Sequence, residues 1–148
     1  AFTVHRLDRA AEGLILVAHA KGVAAKLAQM FRDREVEKRY TAVVSGDFSS
    51  QPVPLRIDAP LDGKPAISEI SFVRAEAGQS QVDVLIATGR KHQIRRHLAD
   101  LGHPIAGDRL YGDGVDDDVD LQLMAYLLAF HCPIADKPVE YRLPIPES

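Results

Sequence analysis

An aspartate in His5-Arg6-Leu7-Asp8, a few residues ahead of the apolar run Leu14-Ile15-Leu16-Val17-Ala18, is the first residue of the chain placed to do chemistry. A carboxylate at the mouth of a buried strand is either solvated, held by a cation, or used as a nucleophile or acid–base group. For the last use it must be fixed in place and kept ionised, which a nearby guanidinium favours. Arg6 and Arg9 are close in sequence, but residues so near point to different sides of a turn, and a distant arginine makes a better clamp. The other compact group of cations is Arg90, Lys91, Arg95 and Arg96, with His92 and His97 among them and no acidic residue from 86 to 98. There, backbone amides and the positive end of a helix dipole can hold a phosphate or another anion. A solvated helix face is the plainer alternative. His92, near the helix start, suits a phosphate or base contact, whereas His97 reads as a hydrogen-bonded core histidine. Together with His5 and His103 they raise the question of a metal, yet no pair has the carboxylate-supported spacing of a metal-binding helix. Tyr40 is open between two uses, a core strand residue or a ring on which an extruded base stacks.

The elements that must position these groups follow from periodicity. Residues 14–19 read as a continuous apolar strand covered on both faces, with Asp8 near its start. Residues 21–34 carry Val23, Leu27, Met30 and Phe31 at helical spacing, with Lys26, Arg32 and Arg34 toward water. Tyr40-Thr41-Ala42-Val43-Val44 is a β-branched, aromatic strand ended by Ser45-Gly46-Asp47. Residues 49–65 hold Pro52, Pro54, Pro60, Gly63 and Pro65 and read as a long loop with one extended piece at 55–57. Residues 66–75 and 81–87 make two antiparallel strands joined through Glu76-Ala77-Gly78-Gln79, the second running into Thr88-Gly89-Arg90. Ile94, Leu98 and Leu101 then predict a short helix stopped by Gly102 and Pro104. An acidic loop with Asp113, Asp116, Asp117, Asp118 and Asp120 follows. Of the apolar stretch 121–131, the first part is expected to be helical or irregular and 126–131 extended; 139–142 is a last strand before Pro144 and Pro146.

The 148 residues, 46% hydrophobic and 26% charged, are the size of one domain with a real core, so residues 1–148 are expected to form a single domain. No apolar run is long enough to span a membrane. The single cysteine, Cys132, can form no intramolecular disulfide or thiol metal pair, which suits a reducing, cytoplasmic setting. A formal net charge of −3 argues against a chain that coats itself on nucleic acid, and leaves room for a local basic site. The opening Ala-Phe-Thr-Val lacks a methionine, so an N-terminal part is expected to lie upstream.

Four separated stretches, in order, resemble the pseudouridine synthases of the RluA type. They are His5-Arg6-Leu7-Asp8-Arg9 with Gly13-Leu14, Lys38-Arg39-Tyr40-Thr41-Ala42, Thr88-Gly89-Arg90-Lys91-His92-Gln93-Ile94-Arg95, and Gly102-His103-Pro104-Ile105-Ala106-Gly107-Asp108 with Leu110-Tyr111-Gly112. The resemblance runs on to Leu123-Met124-Ala125 and Phe130-His131-Cys132-Pro133. It implies that Asp8 is the catalytic aspartate attacking the target uridine while its N-glycosidic bond breaks, after which the freed uracil turns and is rejoined through its carbon 5. It implies further that Arg95 pairs with Asp8, that Tyr40 packs on the flipped base, that Arg6 fills the space the nucleotide vacates, and that Ile94 lines the pocket. Arg90, Lys91 and His92 are then expected to contact the RNA. The implied partner is structured RNA, ribosomal or transfer, and the implied protein is a monomer needing no metal or cofactor, since the reaction is an isomerisation. Two other readings stand beside it. Glu12, and a family strand upstream of the aspartate that is absent here, suggest a catalytically inactive RNA-binding relative; a carboxylate-dependent nucleoside or glycoside hydrolase is the third. The architecture expected is α+β: a mixed, largely antiparallel sheet with two main helices packed beside it and a central cleft where the Asp8 and Arg95 segments converge.

Overall fold

The computed structural model describes residues 1–114 and 118–145, so Asp116 and Asp117 of the acidic loop and Pro146 lie outside the described residues. In chain order the elements are β1 (Phe2–Thr3), β2 (Glu12–Gly13), β3 (Val17–Ala18), α1 (Lys21–Arg32), β4 (Glu37–Ser45), β5 (Leu55–Ile57), β6 (Ser68–Glu76), β7 (Gln79–Ile86), α2 (Gln93–Asp100), β8 (Leu123–Cys132) and β9 (Lys137–Arg142). β1 and β3 form a separate two-stranded ribbon. The other seven make one sheet in which β5, β6, β7, β4 and β8 are successive antiparallel neighbours. The far edge of β8 is shared end to end: β2 pairs with Met124 and Ala125 in parallel, and β9 pairs antiparallel with residues 127–132. This is the mixed, largely antiparallel sheet with two helices expected from the sequence. Among the described residues no helix is long and apolar enough to cross a membrane.

Alternation along the strands builds the core. Ala42 and Val44 of β4, Val82, Val84 and Ile86 of β7 and Ile70 of β6 share one sheet face, and Ile94 and Leu98 of α2 pack onto them with Phe48 and Ile105. A second cluster joins Ala24 and Leu27 of α1 to Val4, Ala18, Val36, Leu128 and Phe130. A bulge links the two. Arg39 lies opposite Leu127 and Tyr40 opposite Ala125, so Tyr126 is an extra residue. The inward set on β8 therefore passes from Leu123 to Leu128 and Phe130, odd to even numbers.

Three expectations are corrected. The run 14–19 is not a continuous central strand: β2 ends just before it, residues 14–16 connect, and only Val17–Ala18 is strand (β3), with Ile15 and Val17 47% and 41% exposed. Gly13, at φ 130°, sits so tightly on β8 that a Cβ there would lie 2.3 Å from the Ala125 carbonyl oxygen. Past it the chain leaves the sheet, and the Leu16 amide donates to His5 Nε2 instead of a strand neighbour. Leu14, Leu16 and Ala18 pack inward, so the period is two and not an unbroken apolar run. The stretch expected to be helical or irregular after 121 is already strand from Leu123, because it pairs with Ala42 and Thr41. The first helix ends at Arg32 rather than at residue 34, where Arg34 takes a left-handed φ of 59° and the Glu35 amide closes on the Met30 carbonyl.

Candidate active site

Asp8 sits in the loop between β1 and β2, whose turn is closed by the Ala10 amide on Asp8 Oδ1 (3.1 Å) and the Ala11 amide on the Asp8 carbonyl (2.9 Å). That leaves the carboxylate aimed inward, 12% exposed. Arg95 reaches it from the first turn of α2. The start of that helix is pinned by Gln93, whose Oε1 accepts from Thr88 Oγ1 and the Arg90 amide while its Nε2 donates to the Ile67 carbonyl and Ser68 Oγ. Burying Gln93 with all these partners locks α2 to the start of β6. His97 serves the same contact as the expected core histidine, its ring nitrogens on Ser68 Oγ and the Ala59 carbonyl.

The Arg95 guanidinium, only 5% exposed, is divided between two carboxylates. Nη1 donates to Asp8 Oδ1 and Oδ2 at 3.2 and 3.0 Å, and Nε and Nη2 donate to Asp108 Oδ2 and Oδ1 at 3.0 and 2.6 Å. Asp108 Oδ1 also accepts the Leu110 and Tyr111 amides, so this fully buried carboxylate is satisfied. Burial alone would push the Asp108 carboxyl up; the Arg95 and backbone hydrogen bonds outweigh it and hold it below the usual carboxylate range. The Asp108 hydrogen bond first, and then that of Asp8, raises Arg95 further above its already high value. The Tyr111 ring closes over the guanidinium, with Arg95 Cζ 5.3 Å from its centroid.

Two more groups face Asp8. His92, in a left-handed conformation at the helix start, bonds Tyr111 Oη through Nδ1 (2.8 Å) and brings Nε2 to 3.8 Å from Asp8 Oδ2. Burial lowers its pKa against the opposing pull of the Asp8 charge, so the ring is neutral at neutral pH. Tyr40, on the inner face of β4, has its phenol pushed up to about 12 by burial and then by the Asp8 charge, and stays protonated.

Asp8, Arg95, Tyr40 and His92 thus come together from three segments, the Asp8 loop, β4 and the start of α2. Arg6 is exposed on the Asp8 loop and Lys91 is exposed at the start of α2. Arg90 is partly engaged within the fold, its Nε donating to the Pro65 carbonyl at 2.6 Å. Ile94 is 5% exposed in the core beneath the site. Glu12 lines, with Thr41 and Gln81, a groove of about 470 Å³ on the sheet face away from Tyr40. Sequence reasoning missed Asp108 and Tyr111 as members of the site; an aspartate closing the apolar run Ile105-Ala106-Gly107 was the available signal. Among the described residues no three His, Cys, Asp or Glu side chains are grouped to hold a metal ion. The arrangement can present one carboxylate, held by a shared guanidinium, to a planar ligand beside an aromatic ring.

Residues 1–100 match the family model described as RNA pseudouridylate synthase. The chain is 36% identical over 160 residues to the dual-specificity RNA pseudouridine synthase RluA of Salmonella typhimurium, covering 96% of this chain and 72% of that protein. It is 41% identical over 125 residues to the Escherichia coli K12 protein of the same name, covering 74% of this chain and 56% of the relative. Among solved structures, human RNA pseudouridylate synthase domain containing 1 superposes with a TM-score of 0.83 at 27% identity, over 98% of this chain and 69% of that one.

Proposed function

This chain belongs to the RluA-type RNA pseudouridine synthases, a family of isomerases, and from that premise we propose that it converts a specific uridine of ribosomal or transfer RNA to pseudouridine, with Asp8 as the nucleophile. The observation that carries the reading is the two-oxygen contact between Arg95 Nη1 and Asp8, made by residues 87 positions apart. A carboxylate in a water-poor pocket tends to take up a proton, and the guanidinium opposes that. In this reading the N1–C1′ bond of the uridine breaks with Asp8 engaged at the sugar, the uracil turns in place, and C1′ bonds to carbon 5. Carbon 5 gives up its proton and N1 ends protonated, so atoms balance without a co-reactant. Extruding the base costs on the order of a few kcal/mol. The Tyr40 ring offsets part of this by stacking, and Arg6, exposed on the Asp8 loop, fills the vacated space. His92, Arg90 and Lys91 hold the strand, and Ile94 forms the floor under the ring.

RNA transcripts labelled with tritium at uracil carbon 5 test the reaction class. The protein is expected to release tritium to water with the label's ring still attached to the RNA. RNA binding with no release points instead to an inactive binding relative, and free uracil in the supernatant points to a hydrolase.

A further inference from the structure

Lys38 stands on the same face of β4 as Tyr40, two residues toward the start of the strand. Its side chain is half-buried, and among the described residues it forms no ion pair. The ammonium nitrogen lies 5.8 Å from the centroid of the Phe31 ring, and the same ring carries the stacked His5 imidazole at 4.3 Å. On the other side, a Cβ at Gly89 would fall 3.2 Å from Nζ, so the ammonium meets the bare backbone of the Thr88-Gly89-Arg90 turn. Lys38 therefore sits between the segment that carries Asp8, through His5, and the turn that leads into α2. Burial lowers its pKa, with no carboxylate to compensate. Its charge also adds to the burial that holds His5 neutral. A desolvated cation with a ring and a glycine for neighbours lacks only its anion.

We propose that Lys38 is a phosphate-binding residue of this site, taking a backbone phosphodiester of the RNA strand next to the uridine that enters beside Tyr40. The proposal rests on the isomerase reading for the identity of the strand, and on the position of Lys38 for the contact. One backbone phosphate there fixes the strand between the Asp8 loop and the Arg90 turn, and Gly89 leaves room for its oxygens.

The test is binding of a fluorescein-labelled, unmodified tRNA transcript to protein carrying Asp8→Asn, so that turnover does not intervene, across a potassium chloride series. Adding Lys38→Met, which keeps the aliphatic stem on Phe31, is expected to weaken binding several-fold and to make the slope of log affinity against log salt shallower by about 1. Lys38→Arg is expected to restore both. Unchanged affinity and slope in Lys38→Met overturn the proposal. Tritium release by the wild-type protein is read separately, so failure of the isomerase reading is distinguishable from failure of the Lys38 contact.

Discussion

Arg95 is a single guanidinium serving two carboxylates, and the more buried of the two is Asp108. Its fork of Nε and Nη2 is fully used by Asp108, which orients Nη1 toward Asp8. Removing one partner of such a buried pair leaves an uncompensated charge, so Asp108→Asn is expected to cost about 3–5 kcal/mol in urea unfolding. Because the folded Asp108 carboxyl lies below its ordinary value of 3.8, that contribution is present above this value and is lost as pH falls through the folded value. Wild-type stability is thus expected to fall in that acid range by more than that of Asp108→Asn, measured as urea midpoints against pH. The opposite ranking contradicts the ion-pair account. Asp8 and the cation cluster 90–96 were legible from residue types, an acid before an apolar run and cations after a strand, whereas Arg95 as the partner of Asp8 came from the family resemblance. The role of Asp108 was not legible, since its partner lies on another element and only the packing of α2 against the 102–112 loop brings them together.

At the scale of elements, the segment from β1 to β3 holds the Asp8 loop with few sheet hydrogen bonds, and His5 substitutes for the missing ladder. It accepts the Leu16 amide through Nε2, which places its proton on Nδ1, and it stacks on Phe31 of α1. Burial, and next the charge of Lys38, lower its pKa from 6.5 to about 4. The unfolded chain therefore binds a proton between those values that the folded chain refuses. Stability supplied by neutral His5 is present above pH 6.5 and is lost as pH falls toward 4. Unfolding midpoints across that window should decline in the wild type and decline less in His5→Asn; parallel slopes contradict the assignment. Local chemistry made the β6–β7 hairpin readable: Ala77 and Gly78 both take positive φ, 54° and 78°, as a two-residue turn requires. The split of the 14–19 run was unreadable, because the same apolar residues serve a continuous buried strand or an alternating one. The close approach of Gly13 to Ala125, a tertiary fact, decides between them.

Over the whole molecule, a chain of net charge −3 offers an anionic partner local groups of cations rather than a uniformly basic surface. Arg6 and Arg9 on the Asp8 loop and Lys91 at the start of α2 are exposed cations from two distant parts of the sequence. The fold class followed from strand alternation and two helical stretches, whereas the order of strands did not, since it depends on β8 accepting β2 and β9 along one edge. That edge matters to function: the β2 pairing anchors the end of the Asp8 loop, while the α2 contact with β6 anchors Arg95. Convergence of the two anchored segments is what makes Asp8 a nucleophile in this account. The most direct measurement is single-turnover tritium release from carbon-5-labelled RNA by wild-type protein and Asp8→Asn, with binding of the same RNA followed in parallel. The account predicts that Asp8→Asn binds the RNA within a few-fold of wild type and releases no tritium. Release at the wild-type rate by Asp8→Asn contradicts it.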